Sequence, residues 1–353
     1  METDVEQLLE VADTSPETLQ AVLEEHGWGD GLPVVPPTED RVERMLAAVP
    51  DDPDEELGLL LPRGGVVTPR VAAVNAVLAG CPPAVFPVVV AAARALARPE
   101  LNLRGVNATT HPVAPLLIVH GEIVRHAGFN AGVGAFGPGN RANATVGRAL
   151  RMLLLHVAGA VPGRGDASSQ GQPAKYSYCV AENVDESPWE SYAFTQGVTT
   201  PSAVTIHCGE GPHNVHDMES AGDPALILDK IASAMTSLGM NNAPISQGEF
   251  FLALGPEHAH SLAGAGLGRS DIASYLFDHA RIRAGELRRH FEERAWATWM
   301  KIVDDDHMLP MTGHPDNIRI FVVGGPGKHS AVIPSWGMTE SVTVPVVEKD
   351  DAR

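Results

Sequence analysis

Four short apolar runs recur along the chain, and each ends in glycine with a histidine three to five residues later. Short apolar runs bounded by turn residues are typical of buried strands. Loops at strand ends commonly carry catalytic groups or ligands, so the pattern predicts one shared site built by these loops. The runs are residues 115–121 followed by His126, 203–209 followed by His213, 250–255 followed by His258, and 318–325 followed by His329.

The N-terminal part of the chain contains residues that typically begin and end helices. Ser15 is followed by Pro16 and Glu17, which are an N-cap, a first-turn proline and a first-turn acid, and the helix they begin is predicted to end at Gly27. We therefore expect residues 1–100 to form a helical region with an extended proline-rich arm. Further helices are predicted after Thr38, over 69–80 and over 84–97.

Beyond residue 101 the pattern changes to strands that alternate with helices. Alternation of this kind predicts an α/β fold with a mainly parallel or mixed sheet flanked by helices. The recurring strand, glycine and histidine also predict two related halves, 101–200 and 201–345, before a tail at 346–353. The predicted strands are 116–119, 204–207, 250–254 and 318–323, and the predicted helices are 143–157, 223–238 and 270–296.

Composition narrows the classes of partner. With 44% hydrophobic residues the 353-residue chain can bury a large core. Its 25 Lys and Arg against 44 Asp and Glu give a net charge of -19, which excludes nucleic acid and anionic membrane as partners. No signal segment and no apolar run of about 20 residues is present, so we expect a cytoplasmic protein. We expect a small-molecule substrate and a homo-oligomer.

The histidines after the strands supply the first candidate site. If the loops meet, His213, His258 and His329, with Asp217, can hold a divalent metal of unknown identity, or the imidazoles can act as acid/base groups. The alternative is that each imidazole caps a helix or bonds a carbonyl. No nucleotide cofactor is predicted, because the GxGxxG match at 132–137 follows no strand.

The second candidate site surrounds Cys179. On a helix Lys175, Cys179 and Glu182 share one face, where the ammonium lowers the thiol pKa and the carboxylate passes protons. The sequence Tyr-Ser-Tyr-Cys-Val is equally good strand composition. On a strand Glu182 lies on the opposite side from the other two side chains, and a buried, inert cysteine is the simpler interpretation.

A third set of residues is predicted to bind the substrate. Asn143 is read as the N-cap of a helix whose first turn binds a carboxylate or phosphate with the help of Arg141. The alternative is an ordinary surface loop before a capped helix. Lys328 and Ser330, on a glycine-rich loop, and His111, just before the first strand, complete the predicted substrate-binding residues.

Several sequence blocks resemble known proteins. The segment 28–38, Trp-Gly-Asp-Gly-Leu-Pro-Val-Val-Pro-Pro-Thr, resembles the N-terminal signature of the UGSC family of selenoproteins and their cysteine homologues. The selenocysteine-Gly-Ser-Cys motif of that family is absent from this chain. Later blocks at 142–150, 175–183, 211–214 and 255–259 resemble a longer group of bacterial proteins, and this resemblance implies no particular reaction.

Together these patterns predict an enzyme. We expect a lyase or hydrolase that acts on a small polar or anionic metabolite and uses the strand-end histidines as metal ligands or acid/base groups. One alternative is a cysteine-dependent enzyme centred on Cys179. Another is a non-catalytic protein that binds a metabolite or a metal.

Overall fold

Two four-stranded sheets form the centre of the molecule in the computed structural model, which describes residues 10–220, 222–242, 248–290 and 302–349. Helices cover the outer face of each sheet. The strands are β1 Gly58–Leu60, β2 Gly65–Val67, β3 Ala114–Gly121, β4 Cys179–Ala181, β5 Ser202–Gly209, β6 His213–His216, β7 Phe250–Leu254, β8 Arg281–Arg283, β9 Met308–Pro310, β10 Ile318–Val322, β11 His329–Pro334 and β12 Val342–Pro345.

Most helices end earlier than the sequence pattern predicts. They are α1 Pro16–Glu25, α2 Glu39–Leu46, α3 Pro69–Ala79, α4 Phe86–Leu96, α5 Leu103–Ala108, α6 Ile123–His126, α7 Arg141–His156, α8 Tyr192–Thr195, α9 Pro224–Ala234, α10 Pro256–Gly264, α11 Arg269–His279 and α12 Ala284–His290. Single 3₁₀ turns occur at Pro83–Val85, Pro99–Leu101, Pro173–Lys175 and Pro315–Asn317. Among the described residues, no helix has both the length and the apolar character needed to cross a membrane.

Both large sheets are mixed. The first sheet has the order β12-β5-β3-β4, and only its β3–β4 pair is parallel. The second has the order β10-β7-β11-β6, and only its β10–β7 pair is parallel. The predicted α/β fold with a mixed sheet is confirmed. Strands from both predicted halves pair in the first sheet, since β3 and β5 are neighbours.

The alternation of side chains along the strands produces the layers. On β3, Leu117 and Val119 pack in the same core as helices α3, α4 and α7, whereas Leu116 and Ile118 face the second sheet. Phe251 meets them from β7, and its neighbours on that strand pack against α9 and α11. The order of layers is therefore helix, sheet, sheet, helix, and the inner faces of the sheets meet in a third core.

Local capping explains where several helices begin. The Ser15 and Thr68 side chains accept hydrogen bonds from the backbone amides of Thr18 and Val71, as their N-cap positions predict. Helix α3 ends at Gly80, which has φ of 85° and closes the last turn in the left-handed region.

Several predicted helix ends are wrong, including that of 223–238, which ends at Ala234. The predicted helix 270–296 ends at His279, because the chain turns there into the short strand β8, which pairs with β9. Its last predicted residues, from 291 on, lie outside the described residues. Helix α7 begins at Arg141 and not at Asn143, because the side chain of Asn140 caps it by accepting from the Asn143 amide at 3.0 Å.

Candidate functional site

A group of buried polar residues lies between the two sheets, and we call it the interior polar layer. It continues the inner faces of the strands: His120 follows Ile118 by two positions on β3, and Thr205 and His207 alternate with core residues on β5. Such residues are expensive to bury unless they are hydrogen-bonded. Its members are His120, Glu182, Tyr192, Thr205, His207 and Glu249, with Arg269, Arg319, Ser341 and Thr343 at the margins.

Three of these residues form a hydrogen-bonded series, the Glu182–His120–Thr205 relay. The Nδ1 atom of His120 lies 2.7 Å from Oε2 of Glu182, and its Nε2 atom lies 2.8 Å from the Thr205 hydroxyl. All three side chains are essentially inaccessible to solvent. A carboxylate that holds Nδ1–H leaves Nε2 free to accept a proton from the hydroxyl. This is the order of groups in acid–base–nucleophile triads.

Further contacts fix the carboxylate of Glu182. The Ser191 hydroxyl donates to Oε2 at 2.6 Å, and the Tyr192 backbone amide donates to Oε1 at 2.8 Å. The Arg269 guanidinium lies 3.6 Å from Oε1. Burial by itself raises the pKa of Glu182, but the contact with His120 and the hydrogen bonds from Ser191 and Tyr192 outweigh it and hold this pKa below its usual range. Glu182 is therefore held ionised.

A second carboxylate–histidine pair lies in the same layer. Glu249 accepts from Nε of Arg319 at 3.3 Å and from the Ser341 amide at 2.8 Å. The Nδ1 atom of His207 lies 3.8 Å from Glu249, too far for a hydrogen bond, and neither ring nitrogen of His207 has a hydrogen-bond partner in the described part of the chain. Burial opposes ionisation of Glu249, yet the nearby His207 ring, the Arg319 guanidinium and the hydrogen bond from the Ser341 amide hold its pKa below the usual value.

Tyr192 connects the two pairs. Its ring centroid lies 5.8 Å from that of His120 and 5.6 Å from that of Phe251, which in turn lies 4.3 Å from His207. Burial raises the pKa of the Tyr192 phenol, so the hydroxyl stays protonated and can act as a hydrogen-bond donor.

The sequence pattern identified only one member of the relay. Its spacing from Cys179 makes Glu182 a candidate, whereas the pattern assigns His120 and Thr205 only to apolar strand-like runs. The available signal was a polar residue inside an otherwise apolar run, which occurs at His120 in 115–121 and at Thr205 in 203–209. A buried strand that keeps such residues must satisfy them with partners from elsewhere in the fold.

The three histidines predicted to share a site, His213, His258 and His329, lie in different places in the structure. His258 is buried, its Nδ1 atom lies 2.8 Å from the Ser330 hydroxyl, and that oxygen accepts from the Gly255 amide at 3.1 Å. Burial lowers the pKa of His258 and favours the neutral imidazole. His329 is exposed at the start of β11, next to Ser330 in sequence but on the opposite face of the strand.

His213 lies at the other end of β6, opposite Val332. It lines a cavity of about 490 Å³ together with Glu210 and Met240. The Nε2 atom of His111 lies 2.9 Å from Oε1 of Glu210. The strand-end loops do not all meet, because β3 and β5 are antiparallel and end at opposite edges of their sheet.

The predicted metal ligand Asp217 is occupied by other partners. Its two carboxylate oxygens contact the ammonium of Lys230 and the hydroxyl of Ser220. The described residues contain no group of three or more His, Cys, Asp or Glu placed to hold a metal ion.

The structure does not bring Cys179, Lys175 and Glu182 together. Cys179 begins strand β4 and packs in the core beneath the N-terminal helices, and burial raises the pKa of its thiol. Lys175 lies in a 3₁₀ turn, where its ammonium is 2.6 Å from Asp166. The strand alternative therefore describes this segment, with Glu182 on the other face of the sheet.

The predicted anion-binding residues bond to the protein itself. The Arg141 guanidinium donates to the Gly80 carbonyl at 3.0 and 2.8 Å. The Asn143 side chain is buried and joins helix α7 to the preceding loop through the backbone of Asn130. Lys328 is half-buried, and its carbonyl accepts from the Asp217 amide.

Comparison with known proteins identifies neither a family nor a function for the chain. No family model matches the chain, and no curated protein matches it significantly. The resemblance to the UGSC family stays a prediction.

Proposed function

We propose that the chain is an enzyme that acts on a small polar or anionic substrate by proton transfer at the Thr205 hydroxyl. The observation that carries this proposal is the Glu182–His120–Thr205 relay, with contacts of 2.7 and 2.8 Å. A hydroxyl group is activated by a base within hydrogen-bond reach, and that base is oriented by a carboxylate.

The roles of the three residues follow from the contacts. Glu182 accepts from Nδ1–H of His120, fixes the tautomer and stabilises the imidazolium when it forms. Thr205 is fully buried in the structure, so the reaction requires a local opening of the layer that admits the substrate. His120 Nε2 then takes the proton as Thr205 Oγ1 attacks a carbonyl carbon, and returns it to the leaving group. Water then cleaves the ester and restores the hydroxyl. In a lyase reaction the same base removes a substrate proton. The hydrolase reaction and the lyase reaction both need this relay.

The energetic cost of the layer supports a functional role. Glu182 and Glu249 are almost completely buried carboxylates, and a buried ion pair seldom stabilises a fold more than well-packed apolar residues of the same volume. Buried groups with displaced pKa values and specific charged partners concentrate at functional sites.

The margins of the layer favour an anionic substrate. Arg269 and Arg319 are partly exposed, with 14% and 27% of their side chains accessible, and each reaches a buried carboxylate. The rest of the chain has a large excess of negative charge, -19 in all. Each guanidinium, although paired with a carboxylate on its inner side, keeps an accessible part that can donate to a carboxylate or phosphate.

The test is a screen of small anionic esters, amides, lactones and hydroxy acids, followed by variants of the relay. Thr205→Val removes the hydroxyl at nearly constant volume, and Thr205→Ser keeps it. We expect Thr205→Val and His120→Gln to lower kcat by at least about 100-fold, as loss of an acid/base group does, and Thr205→Ser to retain activity. The exposed His126→Ala variant is the control. Full activity in Thr205→Val contradicts the proposal.

A second candidate is a non-catalytic metabolite-binding protein. The cavity of about 490 Å³ beside Glu210 and His213 supports it, since small-molecule sites usually have this size. Saturable binding of a screened compound without product in any assay, weakened by Glu210→Gln, would favour this role.

A further inference from the structure

Two exposed histidines face each other on neighbouring strands of the second sheet. His216 ends β6 and His329 begins β11, and the antiparallel register places them directly opposite. Directly opposed residues lie on the same face with their side chains adjacent. Strand β6 is the last strand in the order of that sheet, and both imidazoles are exposed.

The separation of the rings suits a shared ion. The two ring centroids are 6.2 Å apart, with 48° between the ring planes. Imidazoles bound to one ion at about 2.1 Å have centroids about 5 Å apart at the tetrahedral angle of Zn²⁺ and about 4.5 Å apart at the right angle of tetragonal Cu²⁺. The rings therefore need to approach by about 1 to 2 Å, which exposed side chains achieve by χ rotations.

A neighbouring amide already orients one of the two rings. The Nδ1–H group of His329 donates to Oδ1 of Asn214 at 3.0 Å. The same arrangement fixes the tautomer of many metal-binding histidines, because it leaves the Nε2 lone pair free. Asn214 lies two residues before His216 on β6, so the strand that supplies one ring also holds the other.

We infer that His216 and His329 form a two-histidine binding site for a divalent first-row transition-metal ion, with Cu²⁺ bound more tightly than Zn²⁺. Solvent completes the coordination. The site differs from the metal set expected from the sequence, since His258 is buried against Ser330 and His213 lies at the opposite end of β6. It is independent of the proposed function, because it shares no residue with the Glu182–His120–Thr205 relay.

The test is titration of the metal-free full-length protein with CuCl₂ and ZnCl₂ by isothermal calorimetry, with His216→Ala, His329→Ala and Asn214→Ala beside it. We expect one high-affinity equivalent of Cu²⁺ and a weaker equivalent of Zn²⁺. Either histidine variant should lose at least about 10-fold in affinity, and Asn214→Ala should lose about 10-fold, as removal of an orienting partner does. The control is His126→Ala, an exposed histidine at the end of helix α6.

Electron paramagnetic resonance of the Cu²⁺-loaded protein tests the ligands themselves. The wild-type spectrum should have hyperfine structure from two imidazole nitrogens, and each single histidine variant should retain one. Unchanged affinity in His216→Ala and His329→Ala would overturn the inference. An equal loss in the His126→Ala control would overturn it as well, because binding would then lie elsewhere.

Discussion

Replacement of Glu182 by glutamine is the sharpest perturbation of the interior polar layer. The carboxylate is completely buried and accepts from Ser191 at 2.6 Å, from the Tyr192 amide at 2.8 Å and from His120 at 2.7 Å. Glutamine has almost the same volume but only one acceptor oxygen. Its NH₂ group faces either the Tyr192 amide, which can only donate, or Ser191 and His120, which must then change from donors to acceptors.

The expected cost follows from these contacts. Hydrogen bonds to a charged group contribute about 1.5–3 kcal/mol each, and removing one partner of a buried ion pair costs about 3–5 kcal/mol. We therefore expect Glu182→Gln to lower the free energy of unfolding by about 3–5 kcal/mol, a large part of the stability of an ordinary domain.

Urea denaturation followed by circular dichroism measures this change. The matched control is Glu186→Gln, an exposed residue of the same segment, which should change the free energy of unfolding by no more than about 0.5 kcal/mol. A loss below about 1 kcal/mol in Glu182→Gln would refute the reasoning, because the carboxylate would then lack buried, charge-assisted hydrogen bonds.

Further predictions concern the relay, acid stability and the thiols. Thr205→Val should lower stability by about 1–3 kcal/mol in urea unfolding, since it leaves His120 Nε2 unpaired, and Thr205→Ser should lower it less. The pKa of Glu182 is lowered by folding, so its contribution is present above the unfolded pKa of about 4.3 and is lost as pH falls through the folded pKa. The free energy of unfolding should thus fall as the pH drops below about 4.3, and it should fall less steeply in Glu182→Gln than in the wild type. Equal slopes would count against this linkage. Burial raises the pKa of Cys81 to about 12 and raises that of Cys179 too, so iodoacetamide should label these thiols slowly in the native protein and fully in urea. Rapid stoichiometric labelling of native Cys179 would restore the cysteine-dependent alternative.

The sequence pattern predicts much of the local structure. The apolar run 250–254 is strand β7, and Thr68 caps helix α3. These features depend on neighbouring residues, which the sequence contains directly. The length of the helix after Ser270 was not predictable in the same way, because the pairing of β8 with β9 ends it and pairing depends on distant residues.

The candidate site depends on such distant pairing throughout. The relay joins His120 to a carboxylate 62 residues away and to a hydroxyl 85 residues away. Only the pairing of β3 with both β4 and β5 brings them together. The histidine pattern was misleading for the same reason: strand direction decides which loops share an edge, and periodicity does not show direction.

The most direct test of the central claim is the protonation of the His120 ring, measured by ¹⁵N–¹H nuclear magnetic resonance of protein labelled at histidine and assigned with His120→Gln. The relay predicts a solvent-protected proton on Nδ1, shifted downfield by the Glu182 carboxylate, and a changed signal in Glu182→Gln. A neutral ring that carries its proton on Nε2, or a ring proton that exchanges rapidly with water, would contradict the relay as the reacting group.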